Sequence, residues 1–196
     1  MIESIRILLD SLAVSFDLPI LDWIAANIWC PVLDVAMPII TMFGDAGIFW
    51  IAVSVLFLIT KKHRKTGIGM ALALIMGLLV CNIWLKPTVA RIRPYDFQME
   101  YFMKEIPLLA GTMHDFSFPS GHTIASFEAA VVILLNNKKL GIAAMILAVL
   151  IAFSRLYLYV HYPTDVIFSV LLGTIFAFIG NYLARKIMDR LPEKLK

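Results

Sequence analysis

The sequence has 196 residues, of which 61% are hydrophobic and 16% charged, with a formal net charge of +3 at pH 7. A soluble fold of this size cannot bury so much apolar surface, since soluble domains average about 45–50% apolar and about 25% charged residues. The composition excludes a soluble or disordered chain and predicts an integral membrane protein, and the scattered basic residues argue against a nucleic-acid partner.

The first 44 residues predict interfacial or half-inserted helices rather than a full span. Residues 1–17 combine a short apolar run with flanking acids and have no cleavage site of small residues. This pattern is typical of an amphipathic helix at the membrane interface rather than of a secretory signal peptide. Residues 18–44 are interrupted by prolines and aspartates, and Trp23 and Trp29 suit the headgroup level.

Five apolar stretches approach or exceed the roughly 20 residues that a transmembrane helix needs. They lie at about 46–60, 66–85, 121–136, 139–158 and 163–186. The first is short, and its alternative start lies near Pro38, with a break at Gly44 and Asp45. The sequence therefore predicts an all-α, polytopic membrane helix bundle of five spans, with six as the alternative count. We expect one membrane-embedded domain over 1–196, with its catalytic bundle at 45–187.

Basic residues concentrate at one end of the predicted spans. They follow the first span, separate the third from the fourth and follow the last, and these segments hold most of the 17 lysines and arginines. The positive-inside rule predicts that this end and the C-terminus are cytoplasmic. The opposite end, with the segment 86–120 and the turn near 159–163, is then expected to face outward.

Three polar clusters stand at the outward ends of spans, where ionisable groups are costly and their placement is informative. The clusters read K-x6-RP, PSGH and SR-x5-H-x3-D, and the residues of interest in them are Lys86, Arg93, Ser120, Gly121, His122, Arg155, His161 and Asp165. Three cations, two of them guanidinium forks, suit the oxygens of one phosphate. A helix that begins at PSGH adds free backbone N–H groups, and its glycine lets an anion approach closely.

The sequence indicates no metal site and no cofactor. No cluster of acids suits magnesium, and no set of histidines and cysteines suits zinc. Cys30 and Cys81 both lie in apolar stretches without a second ligand nearby, so they predict neither a disulfide framework nor a metal site.

The two histidines and the aspartate complete the chemistry of a phosphoryl transfer. Asp165 follows His161 by four residues and can hold the imidazole in one tautomer, which leaves the other nitrogen free to attack phosphorus. His122 can protonate the departing oxygen as a general acid. The cations would stabilise charge on the equatorial oxygens of the phosphoryl group during an in-line displacement.

Together the three motifs resemble the signature of the type-2 phosphatidic acid phosphatase superfamily, which also contains vanadium-dependent haloperoxidases. The resemblance implies that His161 is a nucleophile that forms a phosphohistidine, that His122 is the general acid and that Asp165 orients the nucleophile. It also implies a phosphate-binding set, which consists of Lys86, Arg93 and Arg155 with added contacts from Ser120 and Gly121. The motifs lie within 86–165, and residues 1–44 carry none of them.

The resemblance implies a metal-independent lipid phosphatase whose substrate keeps its tail in the bilayer. Small bacterial members commonly hydrolyse undecaprenyl diphosphate, which is therefore the first expectation, with phosphatidic acid or phosphatidylglycerol phosphate as the alternative. A haloperoxidase would bind vanadate in the same phosphate cradle, by which we mean the set formed by Lys86, Arg93 and Arg155, but such enzymes are soluble. A lipid transporter would explain the spans but not a nucleophile, an acid and three cations. The sequence leaves the oligomeric state open.

Several residues beside the motifs have two interpretations. Arg91 either contacts a phosphate or headgroup at the rim of the site or has no role in it. Glu128, within the third predicted span, is either a hydrogen-bonded packing residue or part of a substrate channel. His114 and Asp115 precede PSGH and are candidates for gating the site.

Overall fold

A computed structural model describes residues 2–190 and residue 192, and its regular structure in this part of the chain is entirely helical. This confirms the predicted all-α class. The α-helices in chain order are α1 (Ile2–Leu12), α2 (Leu18–Asn27), α3 (Pro31–Met42), α4 (Ile48–Ile59), α5 (Arg64–Gly77), α6 (Lys86–Val89), α7 (Pro94–Phe102), α8 (Gly121–Asn136), α9 (Lys138–Tyr157) and α10 (Pro163–Arg190).

Short segments of other helix types join several of these elements. A π-helical segment, Ala13–Asp17, connects α1 to α2, and a longer one, Leu78–Leu85, connects α5 to α6. Turns of 3₁₀-helix at Asp45–Gly47 and Lys61–His63 lie on either side of α4. Wider and tighter helical turns of this kind often occur near functional sites and at helix ends.

Within the part of the chain that the structure describes, four helical stretches are long and apolar enough to cross a membrane, namely Pro31–Ile59, Lys61–Phe102, Lys138–Tyr157 and Pro163–Arg190. The remaining predicted span is α8, which has 16 residues and a length of about 24 Å. The first stretch differs from the prediction because it begins at Pro31 rather than near residue 46. Pro31 occupies the first turn of α3, where its missing N–H costs nothing, and α3 continues into α4 through one 3₁₀ turn.

Large apolar side chains cover the outward faces of the long helices. Exposed examples recur four residues apart, at Ile142 and Ile146 on α9 and at Leu171 and Ile175 on α10. This spacing places them on one face of each helix. Such a continuous apolar exterior is the surface that a bilayer covers.

Helix α8 lies at the centre of the bundle, where it packs against α4, α5, α9 and α10. Its small residues Ala129 and Ala130 are fully buried at these contacts. Glycines allow a similarly close crossing of α5 and α10, since a Cβ atom on Gly180 would lie 2.5 Å from the carbonyl oxygen of Gly69. Small residues at helix crossings are a common basis of packing within membranes.

The N-terminal helices pack over the end of the bundle that carries the three motifs. The Arg6 side chain of α1 donates hydrogen bonds to the carbonyl oxygens of Val89 (2.8 Å) and Thr88 (3.2 Å). After α2, the Trp29 indole donates to the carbonyl oxygen of Tyr157 at the end of α9, over 2.9 Å. The N-terminal helices, which carry no motif, therefore supply contacts to the segments that do.

Candidate active site

The three motifs meet at a single cavity of about 690 Å³. Six of the eight site residues expected from the sequence line it, namely Lys86, Arg93, Gly121, His122, Arg155 and His161. Asp165 lies behind His161, and Ser120 faces elsewhere. Residues separated by up to 75 positions in the sequence are thus brought to one concave site, where convergent polar groups are typical of ligand binding.

Helix ends place these side chains. Lys86 begins α6, directly after the π-helical segment, and Gly121 begins α8. Arg93 has an extended backbone (φ −78°, ψ 155°) because Pro94 follows it and opens α7. His161 lies in the turn between α9 and α10, with Asp165 in the first turn of α10.

His161 is 1% exposed and has a different environment at each ring nitrogen. Its Nδ1 atom lies 3.4 Å from Ser117 Oγ and 3.5 Å from Asp165 Oδ2. Its Nε2 atom faces the cations, 3.5 Å from Arg93 Nη1. Burial, together with the charges of Arg93 and Arg155, lowers the pKa of His161 well below its ordinary value. The imidazole is therefore held neutral, which is the form that a nucleophile requires.

Asp165 is fully buried, and donors fix both of its carboxylate oxygens. Its Oδ2 atom accepts hydrogen bonds from Ser117 Oγ (2.5 Å) and from the backbone N–H of Tyr162 (3.1 Å). Its Oδ1 atom accepts a charged hydrogen bond from Arg91 Nη1 at 2.5 Å. A carboxylate held in this way can orient the imidazole of His161 and stabilise positive charge that develops on it.

The two guanidinium groups of the cradle have different anchors. Arg93 donates to the carbonyl oxygens of Val160 (2.6 Å) and Asp115 (2.9 Å). Arg155 is 1% exposed and donates to Thr41 Oγ1 at 2.6 Å, while its Nε atom has no hydrogen-bond partner. Among the described residues, no carboxylate lies within ion-pair distance of Arg155. This guanidinium therefore retains donors for an incoming anion, since buried donors normally find partners.

Asp115 provides an anion between two cations of the cradle. One of its carboxylate oxygens lies 2.5 Å from Lys86 Nζ, and the other accepts a hydrogen bond from Arg93 Nη2. Partial burial opposes ionisation, but the hydrogen bonds and charges of Lys86 and Arg93 outweigh it and hold the pKa of Asp115 well below its usual range. Because Asp115 lies between two cations that the sequence analysis assigns to phosphate binding, we expect its carboxylate to compete with a bound phosphate.

We therefore expect Asp115→Asn to bind vanadate more tightly than the unaltered protein. The side chain is 54% exposed, and an exposed ion pair contributes up to about 1 kcal/mol, so the gain should be about fivefold. This gain is measured as the decrease in the inhibition constant of vanadate for p-nitrophenyl phosphate hydrolysis. Glu105→Gln removes an acid elsewhere in the same loop and should leave the inhibition constant unchanged. Equal or weaker inhibition of the Asp115 variant would show that Asp115 supports the cradle instead of competing with its ligand.

His122 has a carboxylate partner that the sequence analysis did not identify. Its Nε2 atom lies 2.7 Å from Asp45 Oδ1, in the 3₁₀ turn that precedes α4. This contact fixes the ring beside the cavity and commits one nitrogen to Asp45. A general acid must have its proton within reach of the leaving oxygen, and a fixed ring orientation serves that requirement.

The PSGH motif contributes unequally to the cradle. Gly121 lines the cavity, and a Cβ atom there would lie 3.1 Å from Asn82 Oδ1, which is a tight contact. Ser120, expected to contact phosphate, turns toward α10: its backbone N–H donates to Ser169 Oγ (2.9 Å), and its hydroxyl accepts from Thr123 (3.0 Å). The backbone N–H of Ser120 therefore takes part in the packing of α8 against α10, and its hydroxyl oxygen takes part in a contact within the first turn of α8.

The structure also shows where Arg91 and Glu128, each of which had two interpretations, are located. Arg91 is buried and points away from the cavity toward two aspartates, so the rim contact was wrong. Glu128 is 1% exposed and lines the inner part of the cavity, where its Oε1 atom has no hydrogen-bond partner. It adjoins Gly77, where a Cβ atom would collide with the carboxyl group. Glu128 is thus part of the cavity wall.

Beyond the charged end, the cavity continues between α4 and α5. The residues that line this part are mainly apolar, and they include Ile51, Val55, Leu58, Leu74, Ile75 and Leu78. A cavity with cations at one end and aliphatic side chains along its length suits an amphiphile with an anionic head.

Residues 64–189 match the PAP2 superfamily. One curated relative, the undecaprenyl-diphosphatase of Sulfolobus acidocaldarius, is 36% identical over 133 residues, which are 67% of this chain and 61% of that protein. The chain therefore spans about three fifths of the length of this relative.

Two solved structures share the fold. Aquifex aeolicus LpxE superimposes with a TM-score of 0.72 and 26% identity, covering 85% of this chain and 94% of that one. A transmembrane PAP2-type phosphatidylglycerolphosphate phosphatase from Bacillus subtilis gives a TM-score of 0.67 with 26% identity, over 85% and 84% of the respective chains. The family match covers well over half of the sequence and includes all three motifs. The resemblance inferred from those motifs is thereby confirmed, and the chain belongs to the PAP2 superfamily.

Proposed function

We propose that this protein is a metal-independent membrane lipid phosphatase that hydrolyses a phosphate or diphosphate monoester of a lipid. The observation that carries the proposal is the cavity itself. It joins three cations, a buried histidine–aspartate pair and a second histidine to an apolar extension between α4 and α5. Membership of the superfamily, whose relatives include named membrane lipid phosphatases, supports it.

In the proposed reaction, Nε2 of His161 attacks phosphorus, and the bond from phosphorus to the leaving oxygen breaks. His122 gives its proton to that oxygen, and Asp165 stabilises the charged phosphoimidazole. Water then attacks the phosphohistidine while His122 removes its proton, and inorganic phosphate leaves as the N–P bond breaks. Lys86, Arg93 and Arg155 stabilise the equatorial oxygens in both steps.

Undecaprenyl diphosphate is the proposed substrate. The name of the Sulfolobus relative and the long apolar part of the cavity support it. Phosphatidylglycerol phosphate or phosphatidic acid is the second candidate, which the Bacillus phosphatase favours. All of these lipids present a terminal phosphate to the same cradle, so the selection among them depends on the tail and on the group next to that phosphate.

The purified protein in detergent should release inorganic phosphate from these lipids with EDTA present, because the cations of the cradle neutralise the phosphate. Vanadate should inhibit it as a five-coordinate mimic of the transition state. The rates of phosphate release from the three lipids rank them as substrates. Protein that carries His161→Ala serves as the control for contaminating phosphatases. Activity that EDTA removes and magnesium restores would contradict the proposal.

We further propose that the cavity opens on the extracytoplasmic side and that the C-terminus is cytoplasmic. The basic segments at the opposite ends of the spans support this orientation, and Lys65 lies within electrostatic range of Arg185 at that end. In a protein whose native cysteines are replaced, cysteine at Glu100 should react with a membrane-impermeant thiol reagent in intact cells. Cysteine at Lys138 should react only after lysis, and the opposite labelling pattern would place the active site in the cytoplasm.

A further inference from the structure

A buried ion pair lies directly behind the nucleophile and its aspartate, and no step of the proposed reaction uses it. Arg91 is 4% exposed, and Asp17 is fully buried. Arg91 donates from Nη1 to Asp165 Oδ1 at 2.5 Å and from Nη2 to Asp17 Oδ2 at 2.8 Å. The guanidinium thus bridges two carboxylates, and only one of them belongs to a motif.

Asp17 and Arg91 also contact two residues that closely precede Asp165 in the sequence. Asp17 accepts hydrogen bonds from the Thr164 backbone N–H (2.9 Å) and from the Thr164 hydroxyl (2.7 Å). The guanidinium of Arg91 lies over the Tyr162 ring, 3.6 Å from its centroid. The start of α10 is therefore attached to the π-helical segment that ends at Asp17.

From this geometry we propose that Asp17 and Arg91 are positioning residues, which hold Asp165 against His161 and balance its charge. The inference rests on the proposed function, because it assigns these residues to the attack step of that reaction. Asp17 lies outside the family-matched segment 64–189, so the N-terminal helices supply part of the catalytic unit of this chain.

The charges of the pair predict opposite effects on His161. Asp17→Asn removes a negative charge, so that Arg91 pairs with the carboxylate of Asp165 only. This change makes the surroundings of His161 more positive. Arg91→Gln removes the positive charge and leaves two buried carboxylates. Since a positive environment disfavours the imidazolium, the pKa of His161 should fall in the first variant and rise in the second. The charged, titratable and polar groups around His161 that both variants retain are Lys86, Arg93, Ser117, His122, Arg155 and Asp165.

The test measures kcat/KM against pH for the full-length protein with p-nitrophenyl phosphate and with an alkyl phosphate. His161 attacks in its neutral form, so its pKa sets the acid limb of the profile. We expect Arg91→Gln to move this limb to higher pH and Asp17→Asn to move it to lower pH. Loss of a hydrogen bond to a charged group should reduce kcat by about tenfold to a hundredfold in each variant, equally for both substrates.

Two further variants separate positioning from general damage. Asp10→Asn removes an exposed acid from α1 and should behave like the unaltered protein. Asp17→Asn combined with Arg91→Gln removes both charges and should recover part of the activity lost in Arg91→Gln. Activity of Asp17→Asn equal to that of Asp10→Asn would overturn the inference, as would losses with no difference between the two acid limbs. Absence of phosphate release by the unaltered protein would instead refute the proposed function.

Discussion

Replacement of His161 by alanine is expected to abolish lipid phosphate hydrolysis, with a loss of at least about 10⁴-fold in kcat, as is typical when the nucleophile of a concerted catalytic set is removed. The reason is that Nε2 of His161 faces the cations of the cradle while Nδ1 faces Asp165. No other histidine in the described part of the chain has this arrangement. The kcat of the variant is obtained from the release of inorganic phosphate from a lipid phosphate, with enough protein to detect slow turnover.

His63→Ala is the matched control for this loss. His63 packs beside Phe57, at the opposite end of α4 from the Asp45 turn that contacts His122, and its replacement should leave kcat unchanged. The binding of vanadate to His161→Ala should weaken but persist, since the three cations remain. Retention of more than about one tenth of the unaltered activity in His161→Ala would show that another group attacks phosphorus, because a lost nucleophile costs orders of magnitude.

The second large effect is expected from His122→Ala, and its size should depend on the leaving group. An alkoxide departs poorly without a proton, whereas p-nitrophenolate needs little assistance. The loss on an alkyl phosphate should therefore approach about 10²–10⁴-fold, and the loss on p-nitrophenyl phosphate should be much smaller. A lipid diphosphate should fall between them, because phosphate is a better leaving group than an alkoxide.

Two aspartate variants serve as controls for the assignment of His122. Asp45→Asn removes the carboxylate 2.7 Å from the His122 ring, so it should give a weaker loss with the same dependence on the leaving group. Asp165→Asn should reduce both rates alike, because it affects the attacking imidazole instead of the departing oxygen. Equal losses on both substrates for His122→Ala would contradict its role as general acid.

The sequence was sufficient to predict the helical class, the family and the convergence of most motif residues. Each motif lies at a helix end, and the alternation of the spans brings Lys86, His122 and His161 to the same end of the bundle. The length of each apolar stretch and the positions of the charged residues can be identified in the sequence without knowledge of how the helices pack. The predicted positions of the motif residues were therefore correct where the ends of the spans determine them.

Other features of the site depend on contacts between distant parts of the chain. Asp17 meets Arg91 across 74 positions, and Thr41 meets Arg155 across 114. A single acid or threonine in the first 44 residues gives no local signal that it will be buried beside a motif. Ser120 illustrates the reverse case, because its motif predicted a phosphate contact while the packing of α8 on α10 turned it away.

The central claim is that His161 forms a covalent bond to the phosphoryl group, and trapping of that intermediate tests it most directly. The unaltered protein is mixed with a lipid diphosphate that carries a radioactive label in its terminal phosphate, quenched within one turnover and digested under alkaline conditions that preserve phosphohistidine. We predict label on the peptide that contains His161, stable to base and released by acid. Label on any other residue, or rapid turnover with no labelled protein, would contradict the claim.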